Sequence, residues 1–129
     1  MNQDIHTALR RYADAWLSGD LVRILACYHD EFTLHYGGAN PLTGDHAGKA
    51  AALGALAEVT RRANRQLLEI VDVLAGETRG ALIARERFTR DGRSDEFVRT
   101  LVFTVRDGLL SECIPYDQDQ PLIDWYLRD

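Results

Sequence analysis

The sequence has no basic stripe and no long apolar run. Its 129 residues include 15 lysines and arginines against 20 acidic residues, and the net charge at pH 7 is −5. Proteins that bind nucleic acids usually carry a cluster of positive charge, so we expect no nucleic-acid partner. A membrane-spanning helix needs about 18 or more apolar residues, and we expect none here. The N-terminal residues are polar and unlike a signal peptide, which predicts a cytoplasmic protein.

Cysteine is scarce. Cys27 and Cys113 are far apart and lack the close spacings of metal-binding cysteines, so we expect two buried, free thiols. The four histidines also lack the HExxH spacing of a zinc site. We therefore predict neither a metal nor another cofactor.

Internal repeats and low-complexity linkers are absent as well. Hydrophobic residues make up 46% of the chain, which is enough for a packed core. The length is that of one ordinary domain. We therefore predict a single domain over 1–129.

The first half of the chain has helical periodicity. Apolar residues recur at helical spacing from Ile5 to Leu17, which predicts an amphipathic helix of about four turns. Gly19 ends this helix, and Asp20 is placed to cap a short second helix over 21–28.

A strand and a third helix complete this half. After a turn at 29–31, the run FTLHY predicts a strand over 32–36. A loop that contains Pro41 and Gly44 leads to an alanine-rich helix over about 46–63. Arg61, Arg62 and Arg65 follow near the helix end, where positive charge suits the helix dipole, and we expect them to be solvated.

The second half has strand periodicity. Asp91-Gly92 and Asp107-Gly108 favour tight hairpins, because both residues tolerate positive φ angles. Pro121 predicts the first turn of a short closing helix that starts near Gln118. The predicted strands are QLLEIVDVL, ALIARERFT, EFVRTLVFTV and LLSECIPY. Helices followed by an antiparallel meander indicate an α+β fold, with a curved sheet around the first helix and a cavity between them.

The chain resembles a known family over nearly its whole length. The run RRYADAWLSGDLVRILACYHDEFTLHYGGANPLTGDHAGKAA is similar to the start of nuclear-transport-factor-2-like, or SnoaL-like, domains. VDVLAGE, RDGR, FTVRDGLLSE and DQPLIDWYL resemble later segments of the same family. The resemblance implies a cone-shaped α+β barrel in which a curved antiparallel sheet wraps around N-terminal helices. It also implies a hydrophobic pocket and a homodimer through the outer sheet face, but it does not imply one activity.

Two reactions of the family are incompletely matched. Ketosteroid isomerases use a tyrosine on the first helix, which Tyr12 matches, but their two carboxyl positions fall near Tyr36 and Leu101. Limonene-epoxide hydrolases use an Asp-Arg-Asp set, in which Arg87 matches the arginine and Thr89 replaces the following acid. Polyketide cyclases of the SnoaL type use an aspartate near the end of a late strand.

The polyketide cyclase resemblance implies that Asp117 or Asp119 is an acid or base. His35 is the third catalytic candidate, because a neutral imidazole can transfer protons near pH 7. If Leu34 and Tyr36 pack outward, His35 faces the cone and can meet one of the aspartates. The alternatives are a histidine that only shapes the pocket and aspartates that cap the closing helix.

The predicted ligand-binding residues combine aromatic and polar side chains. Arg99 shares a strand face with Phe97, Leu101 and Phe103 and needs a partner if it is buried, for which Glu86 is the natural choice. Alternatively, Arg99 recognises an anionic or carbonyl group of a ligand. The full ligand-binding set is Tyr12, Trp16, Tyr28, Tyr36, Asn40, Arg99 and Phe103, with Tyr36 and Asn40 near a mobile mouth loop that Gly37 and Gly38 begin.

These residues predict a protein with a small-molecule pocket for a hydrophobic ligand with a carbonyl or hydroxyl group. If it is an enzyme, we expect metal-free acid–base chemistry of the isomerase, cyclase or lyase type. The alternative is a non-catalytic ligand-binding or dimeric accessory domain. A deep pocket that both His35 and an aspartate face favours the enzyme, whereas a filled interior favours the alternative.

Overall fold

A computed structural model describes residues 2–129, so Met1 of the predicted domain lies outside the described part. None of the helices in that part is long and apolar enough to cross a membrane. In chain order the elements are α1 (Asn2–Ser18), α2 (Leu21–Leu25), β1 (Tyr28–Tyr36), β2 (Gly44–Ala47), α3 (Lys49–Ala63), β3 (Gln66–Ala75), β4 (Gly80–Arg90), β5 (Arg93–Arg106), β6 (Leu109–Asp117) and α4 (Gln120–Leu127).

The strands form one curved, open sheet in the order β2-β1-β6-β5-β4-β3. The predicted meander from β3 to β6 is confirmed, and all three of its pairings are antiparallel. β1 pairs in parallel with β6 and antiparallel with β2. The α+β prediction is therefore confirmed, with one parallel pairing inside the sheet.

The two predicted hairpins set the register of the long strands. Asp91 and Gly92 have φ angles of 52° and 78°, and Asp107 and Gly108 have φ angles of 56° and 73°. Two consecutive positive φ angles are those of a primed turn, whose twist matches that of the flanking strands. The turns thus fix which residues of β4, β5 and β6 face the same side.

The core lies between the concave sheet face and the helices, and we call this space the cone. Alternate residues of β4 and β5 are buried there, as in the burial pattern of β4 from Gly80 to Phe88. Helix α1 packs against β3 and β4, and α3 packs against β1. The helices contribute buried residues such as Leu9, Ala52 and Ile123, because their apolar positions recur at helical spacing.

Two local predictions are wrong. Residues 28–31 were expected to end a helix and form a turn, but they begin β1. Residues 44–47 were expected to enter a helix but form the short strand β2, in which His46 pairs with Leu34. Helix α3 begins only after Gly48, whose φ angle is 90°. Tertiary pairing decides both segments, because neither has a strong local propensity.

Candidate functional site

A small cavity lies inside the cone, between α1, α3 and the concave sheet face. Its volume is about 20 Å³, and a cavity of this size holds about one water molecule. Any larger ligand therefore requires wall side chains to move. The lining residues are Tyr12, Tyr28, Phe32, Leu34, Tyr36, Leu56, Arg65, Arg99, Leu101, Phe103, Cys113 and Pro115.

Two buried tyrosines form a hydrogen-bonded pair in this wall. The Tyr28 hydroxyl donates to the Tyr12 hydroxyl oxygen at 2.8 Å. Within the described residues, the Tyr12 hydroxyl has no acceptor for its own hydrogen. Burial raises the pKa of Tyr12 to about 12, although Arg65 opposes the rise, and burial followed by the Tyr12 hydroxyl raises the pKa of Tyr28 well above its usual range. Both groups are thus neutral donors near pH 7.

Four charged residues form a row across the sheet next to the cavity. Arg65 precedes β3, Glu86 lies on β4, Arg99 on β5 and Asp117 on β6. We call these four residues the ion-pair row. Their side chains are 13%, 0%, 2% and 4% exposed, in that order. Two positive and two negative charges are therefore neutralised inside the cone.

The contacts of Arg99 differ in strength. Its Nε and Nη2 donate to the two carboxylate oxygens of Asp117 at 2.8 and 3.0 Å, which is the bidentate geometry. The predicted partner Glu86 is present but more distant, with 3.7 Å between Nη1 and Oε2. Glu86 Oε2 is the one buried side-chain oxygen or nitrogen among the described residues that has no hydrogen-bond partner.

Tyr36 is the third tyrosine of the cavity wall. Arg99 Nη2 donates to its hydroxyl oxygen at 3.1 Å, so the Tyr36 hydroxyl hydrogen points elsewhere. Within residues 2–129 no acceptor takes that hydrogen. Tyr12 and Tyr36 thus each accept one hydrogen bond from a neighbour and keep one donor for another group.

The position of Arg65 differs from the prediction. It was expected at a solvated helix end together with Arg61, which is indeed 68% exposed. Instead, the left-handed cap at Asn64 (φ 45°) turns the chain, and Arg65 lies in the cavity wall. It pairs with Glu86 and stacks over Trp16, with 4.8 Å from the guanidinium carbon to the ring centroid.

The position of His35 also differs from the prediction. Leu34 and Tyr36 are buried in the cone, so alternation places His35 on the outer face of the sheet. Its Nδ1 lies 2.7 Å from Asp45 Oδ1 and its Nε2 lies 2.8 Å from Glu112 Oε2. The apolar neighbours occupy the interior because their burial is favourable, and the expectation that His35 faces the cone is wrong.

The two candidate aspartates have different positions. Asp119 is the N-cap of α4, and its Oδ1 accepts from the Leu122 amide at 3.2 Å, which is the capping alternative. Asp117 is buried and held by Arg99. Because His35 lies on the other face of the sheet, the expected meeting of His35 with either aspartate does not occur.

The other predicted ligand-binding residues surround the cavity at different distances. Tyr28 and Phe103 line it, and Trp16 stacks on Tyr12 with ring centroids 5.7 Å apart. Asn40 lies in the loop at 37–43, which follows Tyr36. Its Nδ2 donates to Asp124 Oδ1 of α4 at 2.8 Å, so Asn40 fastens the loop rather than lining the cavity.

Both thiols are buried and free, as predicted. Burial raises the pKa of Cys113 to about 12. A thiol that stays protonated is a poor nucleophile, so Cys113 acts as an apolar wall residue.

Solved structures share this fold. The structure of Bal32a, from a soil-derived mobile gene cassette, superposes with a TM-score of 0.87 at 20% identity, over 98% of each chain. A protein of Silicibacter that is provisionally named a polyketide cyclase has a TM-score of 0.70 at 22% identity, over 94% of this chain and 93% of its own.

A third structure contains a small molecule. TerC, co-crystallised with polyporic acid, has a TM-score of 0.76 at 16% identity, over 92% of this chain and 95% of its own. No curated protein matches the sequence. The family model of the SnoaL-like domain matches residues 9–113, which is most of the chain. The protein is a member of the SnoaL-like domain family and has the cystatin-like, NTF2-like fold.

Proposed function

We propose that the protein binds a hydrophobic small molecule inside the cone, and that Tyr12 and Tyr36 donate hydrogen bonds to a carbonyl or hydroxyl oxygen of that molecule. The observation that carries this proposal is the polar set buried around the cavity. Replacing a buried ion pair by apolar residues is often neutral or stabilising, so folding alone does not require the ion-pair row. Buried polar groups with shifted pKa values beside a cavity are typical of functional sites.

The two phenols suit a carbonyl oxygen better than a charged amine. Each has a free O–H donor, and donors held in a dry site stabilise negative charge that develops on oxygen. The complex of the similar TerC structure with polyporic acid supports a small organic ligand for this fold. The similarity gives no closer identification, because the identity is only 16%.

Catalysis requires a base as well as these donors. In an enolisation, Asp117 would take a proton from the carbon next to the carbonyl, the electron pair would form the carbon–carbon double bond, and Tyr12 and Tyr36 would stabilise the enolate oxygen. Both carboxylate oxygens of Asp117 are held by Arg99, so this step requires the ion pair to open. That requirement favours the alternative of a non-catalytic binding protein. His35 and Asp119 have no position in either scheme.

Ligand binding also requires the cone to expand. The loop at 37–43 is the proposed moving part, because Gly37 and Gly38 lie at its start, directly after the wall residue Tyr36. Asp124 fastens it by accepting from the Ala39 amide at 3.0 Å and from Asn40.

The test uses the bicyclic ketone β-tetralone and the protein as purified. Native mass spectrometry first shows whether a ligand is retained. NMR titration with β-tetralone then compares the wild type with Tyr12→Phe, Tyr36→Phe and the control Tyr116→Phe, which changes an outer-face tyrosine that is 56% exposed. We expect about five- to tenfold weaker binding for each cone variant, as for loss of one hydrogen bond. Equal affinities in all four proteins would refute the proposed donors.

Deuterium exchange separates the two alternatives. In heavy water, an enolising enzyme accelerates exchange at the carbon next to the carbonyl of β-tetralone, and Asp117→Asn removes the acceleration. Binding without acceleration supports the non-catalytic alternative.

We also propose a homodimer through the outer sheet face. Val98 and Tyr116 are 57% and 56% exposed, and Ile83, Val102 and Ile114 lie on the same face by register. Large exposed apolar patches mark interaction sites, and the family resemblance implies a second copy as the occupant. We expect sedimentation velocity to give a dimer for the wild type and a monomer for Val98→Glu, and a monomeric wild type would contradict the proposal.

A further inference from the structure

Arg65 has donors that no other side chain of the cone uses. Its Nε donates to Glu86 Oε1, and within the described part of the chain its two terminal nitrogens donate no hydrogen bond. Arg99, in contrast, is held by Asp117 and Tyr36. A guanidinium has five N–H donors in a fixed fork, so four of them remain on Arg65.

The guanidinium of Arg65 is held in place by the other contacts. Glu86, which holds its Nε, is fully buried, and the Trp16 ring lies 4.8 Å below the guanidinium carbon. The side chain is only 13% exposed. A group that is already ordered loses little conformational entropy when it binds a ligand. Arg65 is therefore a preorganised donor rather than a mobile surface arginine.

Arg65 and Tyr12 line the same cavity. Both residues are part of its wall, and the positive charge of Arg65 is close enough to Tyr12 to oppose the rise of that pKa. An anion that Arg65 binds in this cavity therefore shares the space that the Tyr12 side chain lines. A carboxylate has the planar pair of oxygens that a guanidinium binds in bidentate fashion. An acidic enol that is conjugated to a carbonyl group also has two coplanar oxygens.

We propose that Arg65 selects the charge of the ligand, so that the cone takes hydrophobic acids, with a carboxylate or an acidic enol, in preference to neutral ketones of the same shape. This inference rests on the proposed function, because it assumes a ligand in the cone. A neutral ketone leaves the planar donor pair of Arg65 partly unmatched, whereas an oxyanion satisfies it.

The test uses two probes with the same naphthalene ring system, the carboxylate naphthoate and the methyl ketone acetonaphthone. Calorimetric titration compares the wild type with Arg65→Met and Arg65→Lys. The lysine variant keeps the charge beside Glu86 but lacks the planar donor pair, and it provides a folded protein if the methionine variant is unstable. Arg87→Met is the control, since Arg87 is an outer-face arginine that is 39% exposed.

We expect the wild type and Arg87→Met to bind naphthoate about tenfold more tightly than acetonaphthone, as for one charge-assisted contact. Arg65→Met should lose this preference and keep its affinity for acetonaphthone, and Arg65→Lys should lose most of it. Equal affinities of the wild type for the two probes, or a preference that survives in both Arg65 variants, would overturn the inference alone. If neither probe binds the wild type, the proposed function fails together with it.

Discussion

The inner face of β4 and β5 buries its charged side chains, whereas the outer face of the same strands exposes them. On β4 and β5 the outward residues Arg85, Arg87 and Glu96 form ion pairs at 2.6 and 3.2 Å, and each side chain is 37–46% exposed. On the opposite face of the same two strands, Glu86 and Arg99 are almost completely buried. The alternation of a strand thus places the same residue types in water on one side and in the cone on the other.

The difference shows which charges need an explanation. Exposed ion pairs contribute little to the free energy of unfolding, because water and salt screen them. Buried charges lose their hydration, and only partners in the cone compensate for that loss. The outer pairs therefore give no sign of a ligand site, whereas the inner row indicates one.

Replacement of Arg99 gives the largest expected effect on stability. Arg99→Met leaves Asp117 and Glu86 without their shared cation, and removing one partner of a buried ion pair costs about 3–5 kcal/mol. Urea denaturation measures this loss, with Arg87→Met on the outer face as the matched control. If both variants unfold at the same urea concentration, the two faces do not differ in the way described.

Alkaline unfolding gives the next largest effect, again from the interior. The pKa of Tyr12 is about 12 when folded because of burial and about 10 when unfolded. A raised folded pKa means that the stabilisation is complete below about pH 10 and is lost as the pH rises toward 12. Tyr12→Phe should therefore remove about 2–3 kcal/mol of pH-dependent destabilisation over this range. Unfolding curves of the two proteins that stay parallel up to about pH 12 would contradict the prediction.

Two adjacent glycines at the rim, where the faces meet, test the loop at 37–43. Gly38 has a φ of 85°, and an added Cβ would collide with the side chains of Gln120 and Asp124, whereas Gly37 has open space. The left-handed backbone alone should make Gly38→Ala cost about 1–2 kcal/mol. Movement of Asp124 away from the new Cβ should add to this cost, since it breaks the hydrogen bonds that fasten the loop. Gly37→Ala is the control for thermal melting, and an equal change in both variants would argue against a fastened loop.

Periodicity and turn chemistry predicted much of the fold. The hairpins at Asp91-Gly92 and Asp107-Gly108 and the long strands are confirmed, because local residues determine them. The short strand β2 could not be predicted, since its four residues form a strand only by pairing with β1. The parallel pairing of β1 with β6 is likewise a tertiary feature without a local signal.

The candidate site was less predictable than the fold. The shared face of Arg99 and Phe103 followed from alternation, and so did Glu86 as a partner. The face of β1 was assigned incorrectly, although Leu34 and Tyr36 are the more apolar pair and a strand buries its more apolar side. Arg65 was missed because a helix end and a strand start meet at that point, and only the left-handed cap at Asn64 separates them.

The smallest expected effect on stability comes from the charged residues around His35 on the outer face of the sheet. Asp45 of β2 and Glu112 of β6 each take one ring nitrogen, and the Thr104 hydroxyl of β5 donates to the other Glu112 oxygen at 3.1 Å. Hydrogen bonds to Asp45 and then to Glu112 raise the pKa of His35. The positive charge of Arg79 also acts on Glu112. The imidazolium therefore connects the edge strand β2 to the sheet.

His35→Gln tests this connection through its pH dependence. Because the folded pKa of His35 is raised above its unfolded value of about 6.5, the stabilisation is complete below that pH and is lost as the pH rises through the folded pKa. The Asp45 and Glu112 side chains are 74% and 48% exposed, so we expect a loss of only about 0.5–1 kcal/mol at about pH 6 and almost none at about pH 9. Thermal melts at both pH values measure the difference, with His6→Gln on the exposed face of α1 as the control. A loss of the same size at both pH values would show that His35 stabilises the fold by packing rather than by its charge, and the prediction would be wrong.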